Sequence, residues 1–418
     1  MTAGAEQAPT APGPSPAVDV IELKSGQPTG VQVQSAILES AMESMMAIHQ
    51  AVLRSGSTFW TSALDRKAWP IDLVADLLTW SSELSRRRKP EWASPNKVIG
   101  EWPVARLRDF SPAATGEGEV REGEIATLLL PPQAGHDSCI VDFAPGQSQV
   151  HTALESGLTR VYSMDWKGAT ARTKDATIED FLVALEDSVD HMGGRVNLVG
   201  DCQGGWLAVV YAALHPDKIR SLTIAGAPVD FHAGEPIIHE WVQALTPGDE
   251  LAVYRSVVAA NGGVLPGEFL LNGFKALQPN SEVQRQLGVL ANLHDPIYLE
   301  RYRKFEDWFT WTQPLPGEFY LWIVQRLFQR NELVNGTLTA GGRRVDLRKI
   351  TCPLFLLAGA ADHITPPPQV FALADKAGTP EDKVHYRTAP GGHLGLFMGH
   401  QALREHWRPL FRELASLS

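Results

Sequence analysis

Cysteine is scarce. The 418 residues hold three, Cys139, Cys202 and Cys352, widely spaced and without a Cys-x-x-Cys pair. That excludes a disulfide framework and a cysteine-rich zinc site, and no metal is expected. Long apolar runs are also missing. None approaches the ~18 residues that would span a bilayer, and no basic stretch followed by an apolar one opens the sequence. Positive charge is in deficit, with a formal net charge of −11, which excludes the basic surface that nucleic acid requires. These absences point to the cytoplasm, whose reducing conditions suit a free thiol.

What is present is the composition of a globular protein, 44% hydrophobic and 20% charged. Residues 1–30, punctuated by Pro9, Pro12, Pro14 and Pro16, carry too little apolar surface to offset their ordering entropy and are expected to be disordered. Residues 31–122 form an N-terminal region expected to be helical. Its apolar residues recur at spacings of three and four from Val31 to Leu53, and a second helix is expected from Ile71 to about Leu84. Both should pack on the rest of the protein, or else offer the Met42, Met45 and Met46 face to a partner. Arg86-Arg87-Arg88-Lys89 should be a solvated helix end.

From residue 123 the pattern changes. Short β-branched runs at 125–130, 138–144, 160–165, 195–200, 221–226, 353–359 and 384–388 alternate with helical stretches. Such alternation predicts a mostly parallel sheet covered on both faces. The core would comprise 123–230 and 346–418. Residues 231–345, rich in Trp, Tyr, Phe and Leu, would form a helical cap over the sheet's C-terminal edge.

The most informative stretch is Val196-Asn-Leu-Val-Gly200-Asp201-Cys202-Gln203-Gly204-Gly205-Trp206. A buried strand runs into Gly-x-Cys-x-Gly and a helix follows. This is the nucleophile elbow of an α/β-hydrolase fold, with cysteine in place of serine. Side chains at Gly200 and Gly204 would collide in so sharp a turn, and Gly205 completes the elbow. The helix N-terminus favours a thiolate at Cys202 and aims the Gln203 N–H at a developing oxyanion. A second donor is expected near Gly146 or Gln147, after the run ending at Ala144. Cys139 and Cys352, inside or at the start of apolar strands, read as small buried hydrophobes.

The elbow predicts an acid and a histidine later in the chain. Asp362 follows the run 353–359, and His393 follows 384–388 on a Gly391-Gly392 loop. His393 would serve as general base and Asp362 would orient it. His363, His385 and His400 compete for the first role, and Asp165 and Asp230 for the second.

These motifs resemble the polyhydroxyalkanoate synthases and the intracellular polyhydroxybutyrate depolymerases, from about Cys139 to the C-terminus. The Gly200-x-Cys202-x-Gly204-Gly205 box and Asp362-His363-Ile364-Thr365-Pro366 are similar to the synthases. Gly317-Glu-Phe-Tyr-Leu321 and the loop around His393 are nearer to the depolymerases. Gly200-Asp-Cys-Gln-Gly-Gly-Trp206 resembles a further group of large synthase-like proteins. Trp308 stands at the synthase distance from Leu315-Pro316, but Trp311 occupies the family's aspartate position. The resemblance implies an enzyme that loads a hydroxyacyl group from coenzyme A onto Cys202 and passes it to a hydroxyl. Its substrates would be a hydroxyacyl-CoA thioester or a polyester, with no cofactor beyond the coenzyme A of the substrate. Trp308, Trp311 and His363 would contact substrate. Hydrolysis by the same residues is the alternative, and a non-catalytic granule protein a third. Homodimerisation and attachment to a polyester granule stay open.

Overall fold

A computed structural model describes residues 30–417 apart from 235, 250 and 278, with the backbone path alone for 30–44. The tail expected over 1–30 therefore lies outside the described residues except for Gly30. Two helices come first, α1 (Gly30–Asp65) and α2 (Pro70–Leu84).

Among the described residues the main sheet has eight strands. They are β1 (Lys97–Glu101), β2 (Ala105–Asp109), β3 (Ala126–Leu130), β4 (Val161–Trp166), β5 (Val196–Asp201), β6 (Ile219–Ala225), β7 (Leu354–Gly359) and β8 (Val384–Ala389). Their spatial order is β1-β2-β4-β3-β5-β6-β7-β8. The β1–β2 and β2–β4 pairs are antiparallel and the other neighbours parallel. This is the α/β-hydrolase fold. Strands β3, β4, β5 and β7 are buried along their whole length, which is why they read as near-continuous apolar runs.

Two expectations need correction. The region 31–122 is not wholly helical, because it supplies the β1–β2 edge hairpin. Those strands read Lys-Val-Ile-Gly-Glu and Ala-Arg-Leu-Arg-Asp, and their charges are matched by tertiary partners: Arg108 pairs with Asp165 on β4 at 2.7 Å. Nor is 138–144 one strand. Asp137 accepts the N–H of Cys139 at 3.1 Å and winds Ser138–Val141 into a 3-10 turn. Only Asp142–Ala144 is extended, pairing with Gln147–Ser148 outside the main sheet.

Helix α3 (Gln149–Glu155) precedes β4, and α4 (Gln203–Leu214) follows β5. The segment between β6 and β7 is mainly helical and includes α5 (Pro279–Ala291) and α6 (Pro296–Phe309). It also carries two short antiparallel pairs, 264–265 with 315–316 and 339–340 with 343–344. The N-terminal helices pack on this cap rather than on the sheet. Trp80 and Leu84 join Val289, Leu293, Leu299 and Tyr302 in one apolar cluster. Trp80 donates to the Gln286 carbonyl at 2.9 Å, and Glu83, only 8% exposed, pairs with Arg303. Arg86 forks onto Asp307 at 2.8 and 2.9 Å, so this member of the basic run is a cap contact and not a solvated helix end. Met45 and Met46 are exposed, and the Met42 side chain lies outside the described residues. No helix among the described residues is long and apolar enough to cross a membrane.

Candidate active site

The turn from β5 into α4 places Cys202 at φ +48°, ψ −117°, a left-handed conformation that L side chains rarely adopt. Neighbouring contacts hold it there. A Cβ on Gly204 would lie 2.1 Å from the Leu130 carbonyl oxygen, and one on Gly205 would lie 2.2 Å from the Ala227 Cβ. The turn is therefore wedged between the ends of β3 and β6, where no side chain fits. Gly204→Ala should force the turn from the end of β3 and cost about 2–3 kcal/mol of stability, as overpacking does. A denaturant midpoint equal to wild type would contradict this wedge.

Asp362, in the loop after β7, accepts the N–H groups of Ile364 and Thr365 through Oδ1, both at 2.9 Å. Its Oδ2 accepts Nδ1–H of His393 at 2.7 Å. His393 opens helix α7 (His393–Met398) and is shielded on one side by the Phe397 ring, 5.0 Å away. Burial works against a charged imidazole. The negative charges of Cys202 and Asp362 and the hydrogen bond donated to Asp362 outweigh it, and the pKa of His393 is raised well above the ordinary value.

Above Cys202 lies a cavity of about 730 Å³ whose lining includes His136, Phe274, Phe305, Trp308, Phe309 and Leu394. Asp362, His363 and His393 also line it. Its walls tie cap to core. Trp308 donates to the Asp137 carbonyl at 2.9 Å, and Nε2 of His136 bonds the Phe309 carbonyl at 3.1 Å. Burial pulls the His136 pKa down to about 4, so this imidazole is uncharged at neutral pH.

Trp311 is half-buried and is not part of the lining. Helix α6 ends at Phe309, so Trp311 leaves the helical face that carries Phe305 and Trp308. Gly146 and Gln147 are also elsewhere. Gly146 lies beside His400, and Gln147 Nε2 donates to the Met398 carbonyl at 2.9 Å. The sheet neighbour of the elbow strand is β3, so the loop beside Cys202 is 131–137, of which Pro132, Ala134, His136 and Asp137 line the cavity. Two prolines directly after an apolar strand were the signal for that loop. Gln203 is the first residue of α4, where a helix leaves its N–H groups without helical carbonyls.

Of the competing residues, His363 lines the same cavity, whereas three others are engaged elsewhere. His385 stacks on Phe355 at 4.6 Å. Asp165 is held by Arg108, and Asp230 accepts from Asn331 at 2.7 Å.

Residues 111–416 match the family model described as "Protein of unknown function (DUF3141)". The poly(3-hydroxyalkanoate) polymerase subunit PhaC of Allochromatium vinosum is 31% identical over 273 residues, 64% of this chain and 74% of the relative. The subunit of the same name from Haloferax mediterranei is 27% identical over 361 residues, 83% of this chain and 70% of the relative. The chain belongs to both families. Among solved structures, an esterase from Thermogutta terrifontis is similar at TM-score 0.45 and 15% identity, over 77% of this chain and all (100%) of that one. This polymerase-family protein is an enzyme, an acyltransferase or an ester hydrolase.

Proposed function

We propose that this polymerase-family enzyme transfers hydroxyacyl groups between (thio)esters through an acyl-cysteine at Cys202, with His393 and Asp362 completing a triad. The observation that carries the reading is the Asp362–His393 pair beside a strained Cys202 at the floor of one apolar cavity. The Cys202 sulfur attacks the carbonyl carbon of a hydroxyacyl-CoA thioester. The resulting oxyanion meets the Gln203 N–H and an N–H of the loop 133–137. On collapse the bond to the coenzyme A sulfur breaks, and that sulfur takes the proton from His393. An incoming hydroxyl then gives its proton to His393 while its oxygen attacks the acyl carbon, and Cys202 leaves. Trp308 and His363, which line the cavity, would contact the acyl chain, and coenzyme A enters only as part of the substrate.

A second reading, hydrolysis, rests on a different feature. A small cavity of about 20 Å³ lies on another side of Cys202, bounded by Gln203, His239, Thr365 and Gln369. A water molecule needs roughly 10–15 Å³ measured this way and two to four polar partners. Water held there could resolve the acyl-cysteine in place of a hydroxyl.

The purified protein should be incubated with 3-hydroxybutyryl-CoA, following both coenzyme A release and product size. Oligomeric ester is the expected result. Free 3-hydroxybutyrate alone would replace transfer by hydrolysis. Soluble monomer or dimer released from amorphous polyester granules, with no reaction of the thioester, would mark a depolymerase.

A further inference from the structure

A second carboxylate sits beside the triad, and the mechanism above does not use it. Asp201 is the last residue of β5, directly before Cys202, and is 1% exposed. Its Oδ2 accepts Nε2–H of Gln149 on α3 at 2.7 Å, and the same amide reaches the Phe397 carbonyl on α7 at 3.3 Å. Gln149 is fully buried, at 0% exposure. Asp201 Oδ1 and Gln149 Oε1 are buried without a hydrogen-bond partner among the described residues. Burying a carboxylate this far from water is costly unless its charge is useful or can be neutralised.

We propose that Asp201 is a positioning residue that ties the nucleophile turn through Gln149 to the helix bearing His393 and, when ionised, adds a further negative charge that holds the proton on His393.

The geometry restricts what else acts here. The flanking strands bring Leu130 and Ala225 to the level of Gly200 and Asp201, and neither is ionisable. Helix α3 contributes Gln149, and α7 contributes the Phe397 carbonyl and His393. His393 in turn faces Asp362 and Cys202. Burial pushes the Asp201 carboxyl up to about 7, against the Gln149 hydrogen bond and the His393 charge, which favour ionisation. Asp201 is thus neutral in acid and charged above neutrality. Its charge arrives in the range where an ordinary imidazole would already have lost its proton. It extends upward the pH range over which His393 stays cationic and able to protonate a leaving thiolate.

The inference rests on His393 being the proton-carrying partner of Cys202. Its test reads that proton directly and needs no substrate. Full-length protein with 13C-labelled histidine rings is titrated by NMR as wild type, Asp201→Asn and Gln149→Met, with His393 assigned from the spectrum of His393→Gln. Asp201→Asn should lower the His393 midpoint by about one unit, the effect of one nearby charge, while leaving the resonance unchanged below pH 6. Equal midpoints, or a change as large below pH 6 as above pH 8, would overturn the proposal. Gln149→Met removes the donor that favours the charged carboxylate, so the Asp201 inflection felt at His393 should move to higher pH. An inflection that stays in place would overturn it too, and this variant decides alone if Asp201→Asn does not fold. Absent turnover alongside the predicted titrations would dismiss the proposed function and leave this inference standing.

Discussion

Cys202→Ala is expected to lower turnover by at least ~10⁴-fold, since in the proposed mechanism its sulfur carries the acyl chain. Its fold should survive. The change removes one sulfur atom from a residue that is 7% exposed, and the backbone conformation is held by the glycine contacts around it rather than by the side chain. The other thiols give the contrast. Burial, with the Asp137 charge adding to it, raises the Cys139 thiol well above its ordinary pKa, and burial pushes Cys352 up to about 12. Neither supplies a thiolate near neutrality. Cys139→Ala and Cys352→Ala should therefore keep turnover and lose only stability. Brief iodoacetamide treatment of the native protein followed by peptide mapping should find the label on Cys202. Label concentrated on either of the other two, or turnover surviving in Cys202→Ala, would remove Cys202 from its role.

The second large effect is expected at the Asp362–His393 pair. His393→Ala should cost several orders of magnitude in kcat. Asp362→Asn should cost about 10³–10⁴-fold, because it disturbs the tautomer and orientation of the ring while leaving the ring in place. The sign of its pH effect follows from the charges. Asp362 raises the His393 pKa by its charge and its hydrogen bond. Removing that charge brings the imidazolium pKa down, so the alkaline limb of coenzyme A release should move to lower pH. Pre-steady-state thiol release across pH 6–10 measures both quantities. A folded Asp362→Asn variant with the wild-type profile would mean that another group orients the histidine.

The residues of the site differ in how plainly the sequence announces them. Cys202, Asp362 and His393 each follow an apolar strand on a loop of a few residues, so local pattern alone picks them out. The 2.7 Å contact between Asp362 and His393 shows that two of these loops meet. The loop 131–137 was missed because 138–144 reads Ser-Cys-Ile-Val-Asp-Phe-Ala, a composition that fits a strand. What winds it is one side chain, Asp137, bonding two residues ahead. The β1–β2 hairpin was missed for the opposite reason. Its charged residues look like a loop until Asp165, more than fifty positions later, comes to lie beside Arg108. Trp311 was placed by its distance to Leu315-Pro316, but distance along a chain means little once α6 has ended. Asp201 gave no signal at all, since its importance lies in Gln149 and Phe397, both remote in sequence.

The grip of α2 on the cap has a mechanical consequence. The roof of the cavity is fastened at two levels, on its inner edge by Trp308 and His136 and on its outer surface by Glu83 and Arg86. Swinging the roof open like a hinged door would break these contacts along both edges. Traffic through the cavity must then use small rearrangements at its mouth, and the stiffness of the roof is set from outside by two helices that touch none of the reacting atoms.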